Sequence, residues 1–348
     1  MLERERCSMR RTETSHQLLK TLLVGLAACI AFYLFGAVSD RHGIFPVPQL
    51  ISLREKVLPA KVKPESRYIL DAEYRIVGDA EKRAVGCPKQ TDRTAVLLVL
   101  GQSNAANYGG QRFASKHGDK IVNFFDGQCY VAASPLLGSS GTKGEYWTQL
   151  GNHLIESGKF DTVVIAPMAY SGSAVKRWAR GGDLNAVLVD TLSKIKADGH
   201  AITHVLWNQG EIDYVVGISE DAYRERLLSM IDTLRGEGVT APVYLSIASK
   251  CLEPGNGGTR RHSSDNPVVR AQLALSRGEG NIRRGVNTDA LLDGLDRYDD
   301  CHIGGVGAEK VAQAWADILL AEKTAANRQR VPRGNGHPGS VEAFVPAH

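Results

Sequence analysis

Ser103, Asp299 and His302 are the residues whose types, taken together, could carry out acyl transfer. Ser103 sits in Gly101-Gln102-Ser103-Asn104, directly after an apolar run of strand length. A hydroxyl there can meet a substrate, but it is a weak nucleophile until a base removes its proton. His302 is the candidate base. Asp299 stands three residues earlier, close enough to orient the imidazole and stabilise its cation. The developing oxyanion needs hydrogen-bond donors. The backbone N–H groups of Ser103 and Gly172 and a side-chain amide from Asn208 or Gln209 are the candidates. A glycine at 172 would let backbone approach the reacting centre closely. Gln102, Asn104, Glu211 and Trp178 flank these positions and are expected to contact substrate.

Each residue also has a plainer use. Ser103 could cap a helix. His302 could hydrogen-bond near the start of the last helix, and Asp299 and Asp300 could be solvated loop acids. Their joint placement at strand ends favours the catalytic reading. Other chemistries find little support. Gly304, Gly305 and Gly307 follow no strand and lead to no Gly-Lys-Ser/Thr, which argues against nucleotide binding. Glu211 and Asp213 could pair on a metal, but no partner ligands stand near them, and no C-x-x-C spacing occurs, so no metal or other cofactor is expected. The sequence Gly101-Gln102-Ser103-Asn104-Ala105 lacks the second glycine of an α/β-hydrolase elbow.

Positioning these residues takes a layered scaffold. TAVLLVLG (94–101), DTVVIAPMAY (161–170), ITHVLWNQ (202–209) and PVYLSIAS (242–249) are continuous apolar runs, as expected for parallel strands buried on both faces. KIVNFF (120–125) is a shorter one. Between them, Leu184, Leu188, Leu192 and Ile195 recur at helical spacing, as do Tyr223, Leu227, Ile231 and Leu234, then Val311, Trp315 and Leu319. The alternation predicts an α/β domain over residues 91–323, a parallel sheet between helix layers. Chemistry in such sheets sits beyond the carboxyl ends of the strands. That is where the Ser103, Gly172 and Asn208–Gln209 loops fall.

Of 348 residues, 42 are Lys or Arg and 38 Asp or Glu, a net charge of +4. So mild a balance, with no clustered basic face, argues against a nucleic-acid partner. Thr21 to Val38 is uncharged and would rise roughly 27 Å as a helix, close to the thickness of a bilayer core. More basic residues precede it than closely follow it, which would keep residues 1–20 in the cytoplasm and place the C-terminal domain outside, periplasmic or extracellular. A cleaved signal peptide ending near Ala37-Val38-Ser39 is the alternative. The expected fold is therefore preceded by one N-terminal transmembrane helix, a signal-anchor over 21–38. Residues 39–90 read as a stalk and peripheral segment, with a strand or two after 67. Residues 324–348 read as a disordered tail. Cys87, Cys129, Cys251 and Cys301 lie beyond the span. In an oxidising compartment they allow two disulfides, for which chain order favours 87–129 and 251–301. Four free thiols are the alternative.

Gly101-Gln102-Ser103-Asn104, the small-residue loop at Gly172, Trp207-Asn-Gln-Gly-Glu-Ile-Asp213 and Asp299-x-x-His302 together resemble the SGNH hydrolase superfamily over roughly residues 93–322. Within it they are similar to the sialate O-acetylesterase-like and acetyl xylan esterase-like branch. The resemblance implies a flavodoxin-like three-layer α/β/α sandwich. It also implies metal-free ester hydrolysis, commonly of acetyl groups on carbohydrate hydroxyls. By motif, Ser103 becomes the nucleophile, His302 the base and Asp299 its orienter. Gly172 and Gln209 complete the oxyanion hole, with Asn208 the neighbouring alternative. The loop from Ser171 to Trp178 departs from the Gly-Gly-Thr/Ser pattern of the family. Tyr108, Trp178 and Trp207 could offer a sugar ring an aromatic face, with core packing the alternative for Trp207. Two other functions fit the same residues: a polysaccharide O-acetyltransferase using the same triad, and a non-catalytic glycan-binding protein on an esterase fold.

Overall fold

Every residue of the run Thr94–Gly101 is buried, because a strand apolar on both faces is stable only between two layers. The structure is a computed structural model that describes residues 20–36, 38, 67–251, 254–255, 258–259, 262–277 and 279–321. The expected cytoplasmic segment before residue 20, the stalk over 39–66 and the tail over 324–348 lie outside the described residues. The chain divides into two units, Met1–Ser66 and Arg67–His348.

In the first unit, residues 20–36 and 38 are helical. Leu22, Phe32 and Tyr33 are 64%, 77% and 77% exposed. Among the described residues no helix is long and apolar enough to cross a membrane. The unbroken stretch 20–36 rises only about 25 Å at 1.5 Å per residue, short of a hydrocarbon core of about 30 Å. The expected spanning helix over 21–38 is thus found as an apolar helix whose described part falls short of a span.

The second unit opens with the antiparallel pair β1 (Tyr68–Leu70) and β2 (Ile76–Asp79). An eight-stranded sheet follows. Its strands in chain order are β3 (Ala84–Val85), β4 (Thr94–Gly101), β5 (Ile121–Phe125), β6 (Gln128–Val131), β7 (Thr162–Ala169), β8 (His204–Asn208) and β9 (Val243–Ile247). After a short hairpin of β10 (Pro254–Gly255) and β11 (Gly258–Thr259), β12 (Ile282–Asn287) completes it. The spatial order is β12-β9-β8-β4-β7-β5-β6-β3. The strands from β12 through β5 are parallel, and β6 and β3 add an antiparallel edge. This is the expected α/β class with a mostly parallel sheet. In flavodoxin order the first strand would lie between the second and third; here β7 stands between β4 and β5.

The helices are α1 (Trp147–Glu156), α2 (Asp183–Ala197), α3 (Glu211–Val215), α4 (Glu220–Gly236), α5 (Pro267–Leu275), α6 (Thr288–Leu291) and α7 (Gly305–Ala321). Alternation along β4 sends its side chains to two cores. Val96, Leu98 and Leu100 meet Leu188 of α2, Leu227 of α4 and Val268 of α5. Ala95, Leu97 and Val99 meet Leu150 of α1 and Val311 and Trp315 of α7. Each such buried Leu or Val contributes about 1.5–3 kcal/mol. Local signals set the helix starts: the Ser219 hydroxyl accepts from Ala222 N at 3.3 Å, and Asn266 accepts from Val269 N at 3.0 Å just ahead of Pro267. Both disulfides favoured by chain order are present, Cys87–Cys129 and Cys251–Cys301.

Chain order runs from β4 outward to β5, back to β7, then across β4 to β8. The carboxyl end of β4 is therefore the switch point where such sheets open a crevice.

His204, at the start of β8, is buried between Phe160 and Tyr244. Burial first, then repulsion from Lys159 and Arg283, pulls its imidazole from 6.5 down to about 4. As pH falls the unfolded chain takes up this proton first. The stability contributed by neutral His204 is thus complete above pH 6.5 and lost on the way down through about pH 4. The urea midpoint is expected to drop between about pH 7 and about pH 4.5, and to drop less in His204→Gln. Equal drops would contradict this assignment.

Candidate active site

Ser103 begins a 3-10 turn, Ser103–Ala105, at the switch point. The turn is possible because position 101 is glycine. Gly101 has φ +143°, and a Cβ there would lie 2.0 Å from the Asn208 carbonyl oxygen. Gln102 N donates to that same carbonyl at 3.2 Å. The Gln102 side-chain oxygen accepts from Ile212 N at 3.2 Å, which ties the ends of β4 and β8 together.

The candidate base, His302, lies in the loop before α7. His302 Nδ1 donates to Asp299 Oδ2 at 2.7 Å. Asp299 Oδ1 accepts from the backbone N–H of Cys301 at 3.2 Å and of His302 at 2.7 Å. With its proton on Nδ1, the ring presents the Nε2 lone pair for proton transfer. Burial opposes the Asp299 charge, but the His302 backbone N–H, its imidazole and the Cys301 N–H outweigh it and hold the carboxyl below its usual range. The turn at Asp300 takes φ +63°, a conformation Asp tolerates better than most residues. The Cys251–Cys301 disulfide ties this loop to the segment after β9. Tyr108 and Tyr298 lie nearly parallel to the imidazole, centroids 5.3 and 5.9 Å away. Tyr298 carries the Lys143 ammonium over its ring at 4.3 Å.

Asn104 joins the two halves. Its Oδ1 accepts from Ile303 N at 3.1 Å, and its Nδ2 donates to the Cys301 carbonyl at 3.3 Å. The residue after Ser103 thus grips the residues on both sides of His302. Among the described residues no hydrogen bond links Ser103 Oγ to His302. Such contacts are often long in unliganded enzymes and tighten on substrate.

The backbone N–H groups of Ser103 and Gly172 have no acceptor among the described residues. Gly172 is exposed at φ +64°, and a Cβ on it would meet nothing within 4 Å. The reason for glycine at 172 is therefore the left-handed backbone, not the close approach expected. The side-chain donors divide differently from the motif. Gln209 is fully buried, and its amide donates to Ser173 O at 3.1 Å and to Asp213 Oδ2. Its oxygen accepts from Tyr223 OH at 2.9 Å. Both N–H groups are committed, so Gln209 braces the Gly172 loop rather than facing substrate. Asp213 helps by accepting from Val175 N at 2.7 Å. Burial pushes the Asp213 carboxyl up, against these hydrogen bonds. Asn208, opposite Gly101 in the β4–β8 register, donates one N–H to Tyr146 OH at 2.6 Å and keeps the other.

The expected substrate contacts lie inside the protein. Trp178 is fully buried, edge-on to Trp207 at 5.2 Å, and its indole N–H holds Ser173 Oγ at 3.1 Å. Gln102, Asn104 and Glu211 are 3%, 6% and 2% exposed; Gln102 Oε1 accepts from Ile212 N, both ends of the Asn104 amide bond internally, and Glu211 Oε1 accepts from Asn104 Nδ2 at 2.7 Å. The accessible faces beside His302 belong to Tyr298, Lys143 and partly Tyr108. Tyr298, one residue before Asp299, went unread because nothing in its type separates a site wall from a loop residue. Cys87, Cys129 and Asp198 cluster closely enough to hold a metal, but the two sulfurs are joined to each other.

A family model described as carbohydrate esterase, sialic acid-specific acetylesterase, matches residues 93–320. A probable carbohydrate esterase of Arabidopsis thaliana is 27% identical over 163 residues, 40% of this chain and 62% of the relative. The chain thus spans less than two thirds of that relative's length. A solved structure of an Arabidopsis thaliana protein has a like fold, with TM-score 0.52 at 18% identity over 66% of this chain and 98% of that one. The structure of a carbohydrate acetylesterase from Xanthomonas citri gives TM-score 0.44 at 17% identity, over 67% of this chain and 57% of that one. Ser103, Gly172, Asn208, Asp299 and His302 all fall within the matched residues, and the chain belongs to the carbohydrate esterase family of sialic acid-specific acetylesterases.

Proposed function

We propose that this protein is an exported, membrane-anchored serine esterase that hydrolyses O-acetyl or other small acyl esters of carbohydrates. The observation that carries the reading is the Asp299–His302 hydrogen bond, in a loop whose residues on both sides of His302 are bonded to Asn104, the residue after Ser103. Family membership supports the carbohydrate ester. The two disulfides support export, since such bonds persist in oxidising compartments. The apolar residues exposed on helix 20–36 support a membrane anchor in this segment.

In the first step His302 Nε2 takes the Ser103 proton as Oγ attacks the acetyl carbonyl. The carbonyl π pair moves to oxygen, where the N–H groups of Ser103 and Gly172 receive it. Asn208 supplies the third donor through its uncommitted N–H. The tetrahedral species collapses, and His302 returns the proton to the departing sugar hydroxyl. Water then attacks the acyl-Ser103 bond with the same assistance, releasing acetate and regenerating the hydroxyl. Asp299 keeps the imidazole in one tautomer throughout and stays ionised because its carboxyl titrates low.

Ser103→Ala is expected to abolish release of p-nitrophenol from its acetate while circular dichroism stays native; undiminished turnover removes Ser103 from the mechanism. Asn208→Ala should lower kcat by about 10²–10³ with KM little changed, as loss of an oxyanion donor does. Gln209→Glu keeps the shape but sets a carboxylate against Asp213, so it should disorder the Gly172 loop and lower both activity and thermal midpoint. An Asn208 variant with full kcat would return the third donor to Gln209. Deleting residues 1–38 should move the esterase from the membrane to the soluble fraction; unchanged partitioning contradicts the anchor.

A further inference from the structure

Glu211 starts α3 at 2% exposure, and its Oε2 has no hydrogen-bond partner. Oε1 accepts from Asn104 Nδ2 at 2.7 Å. A carboxylate taken out of water needs a cation or several donors to keep its charge. The donors Glu211 meets are the neutral amide of Asn104 and its own backbone N–H. The ionisable groups around it come from several elements: Arg297 of the His302 loop, Asp289 of α6, Tyr146 ahead of α1 and Tyr223 of α4, with Asp213 two residues on in α3. Among the described residues none of them bonds to Glu211. Arg297 is turned to the carbonyls of Cys301 and Thr288, and Asp289 to Ser249 and Lys250. Asn208 Oδ1, three residues before Glu211, is a second buried acceptor without a donor. Arg297 Nε is likewise buried without a partner, and among the described residues it makes no bond to Glu211, so Oε2 is left without a donor.

We propose that Glu211 works in its protonated, uncharged form as a positioning residue: it braces Asn104, and through Asn104 the two peptide groups that flank His302, against Ser103. Burial first, with repulsion from Asp289, raises the Glu211 carboxyl above its usual range, while Asn104, its own N–H and Arg297 pull less strongly downward. A raised carboxyl is protonated at low pH and loses its proton as pH rises. The ionised form would then be a buried charge with too few partners, and the Asn104 clamp would loosen at alkaline pH. Asn104 itself would be unable to hold Cys301 O and Ile303 N in one geometry if its amide turned. The kinetic consequence rests on the serine-esterase reading; the protonation state does not.

The experiment uses the full chain, with Glu211→Gln and Glu211→Ala. Gln carries a neutral amide of the same shape. It should keep kcat for p-nitrophenyl acetate within about threefold of wild type, whereas Ala should lower it by about tenfold or more with KM within about twofold. Wild type should lose kcat at alkaline pH more steeply than Glu211→Gln. Infrared difference spectra near neutral pH should show a protonated-carboxyl C=O band in wild type that is absent from Glu211→Gln. Two results would overturn the proposal: a natively folded Glu211→Gln as impaired as Glu211→Ala, or identical infrared bands in wild type and Gln. If wild type hydrolyses no ester, the esterase reading fails by itself, and the infrared band still decides Glu211.

Discussion

A single buried amide holds together what the chain separates by nearly its whole domain. Asn104 bonds to Cys301 and Ile303, 197 and 199 residues away, and to Glu211. Each bond is worth about 1 kcal/mol net, but leaving such a group unpaired in the interior costs about 1–3 kcal/mol. The asymmetry makes the clamp a constraint. The loop before α7 can pack only where it satisfies Asn104, and that fixes the two residues flanking His302 against the residue after Ser103. β4 is the central strand of the sheet, so the end that carries Asn104 is the most rigid available anchor.

Two support systems meet at this strand end. One holds His302: Asp299 fixes the ring, the Cys251–Cys301 disulfide and Arg297 hold Cys301, and Asn104 spans the loop. The other holds the loop at Gly172. Gln209, Asp213 and Trp178 bind Ser173 and Val175, the residues just past Gly172. Asn104, Gln209, Asp213 and Trp178 are all buried. Catalytic geometry must hold to fractions of an ångström, and buried braces supply that better than exposed loops do. The Gln-Gly-Glu-Ile-Asp block therefore acts mainly from below the site.

The sequence revealed most where chemistry or burial restricts residue type. β4, β7, β8 and β9 were legible because strands covered on both faces must be apolar throughout. β12 was not. Its IRRGVN run carries two arginines, permissible on an edge strand where the Arg283 guanidinium lies over Tyr244 at 5.8 Å. Its Gly285 is required by Trp315, 2.5 Å from where a Cβ would sit, a contact 30 residues away in the chain that no local pattern records. The Asp299–His302 pairing was legible because an acid three residues before a histidine in one loop is within reach of its ring. Gln209 and Trp178 were misread for the opposite reason. An amide donates equally well to an oxyanion or to a loop carbonyl, and an indole can stack on a sugar or fill a core. Only their surroundings distinguish the two uses.

The central claim is that Ser103 is a nucleophile activated by His302. Mass spectrometry after treatment with a fluorophosphonate tests it most directly. The account predicts one phosphonyl adduct, on the peptide containing Ser103, whose formation collapses in His302→Ala. An unlabelled wild-type chain, or an adduct on another serine that is indifferent to His302, would contradict it.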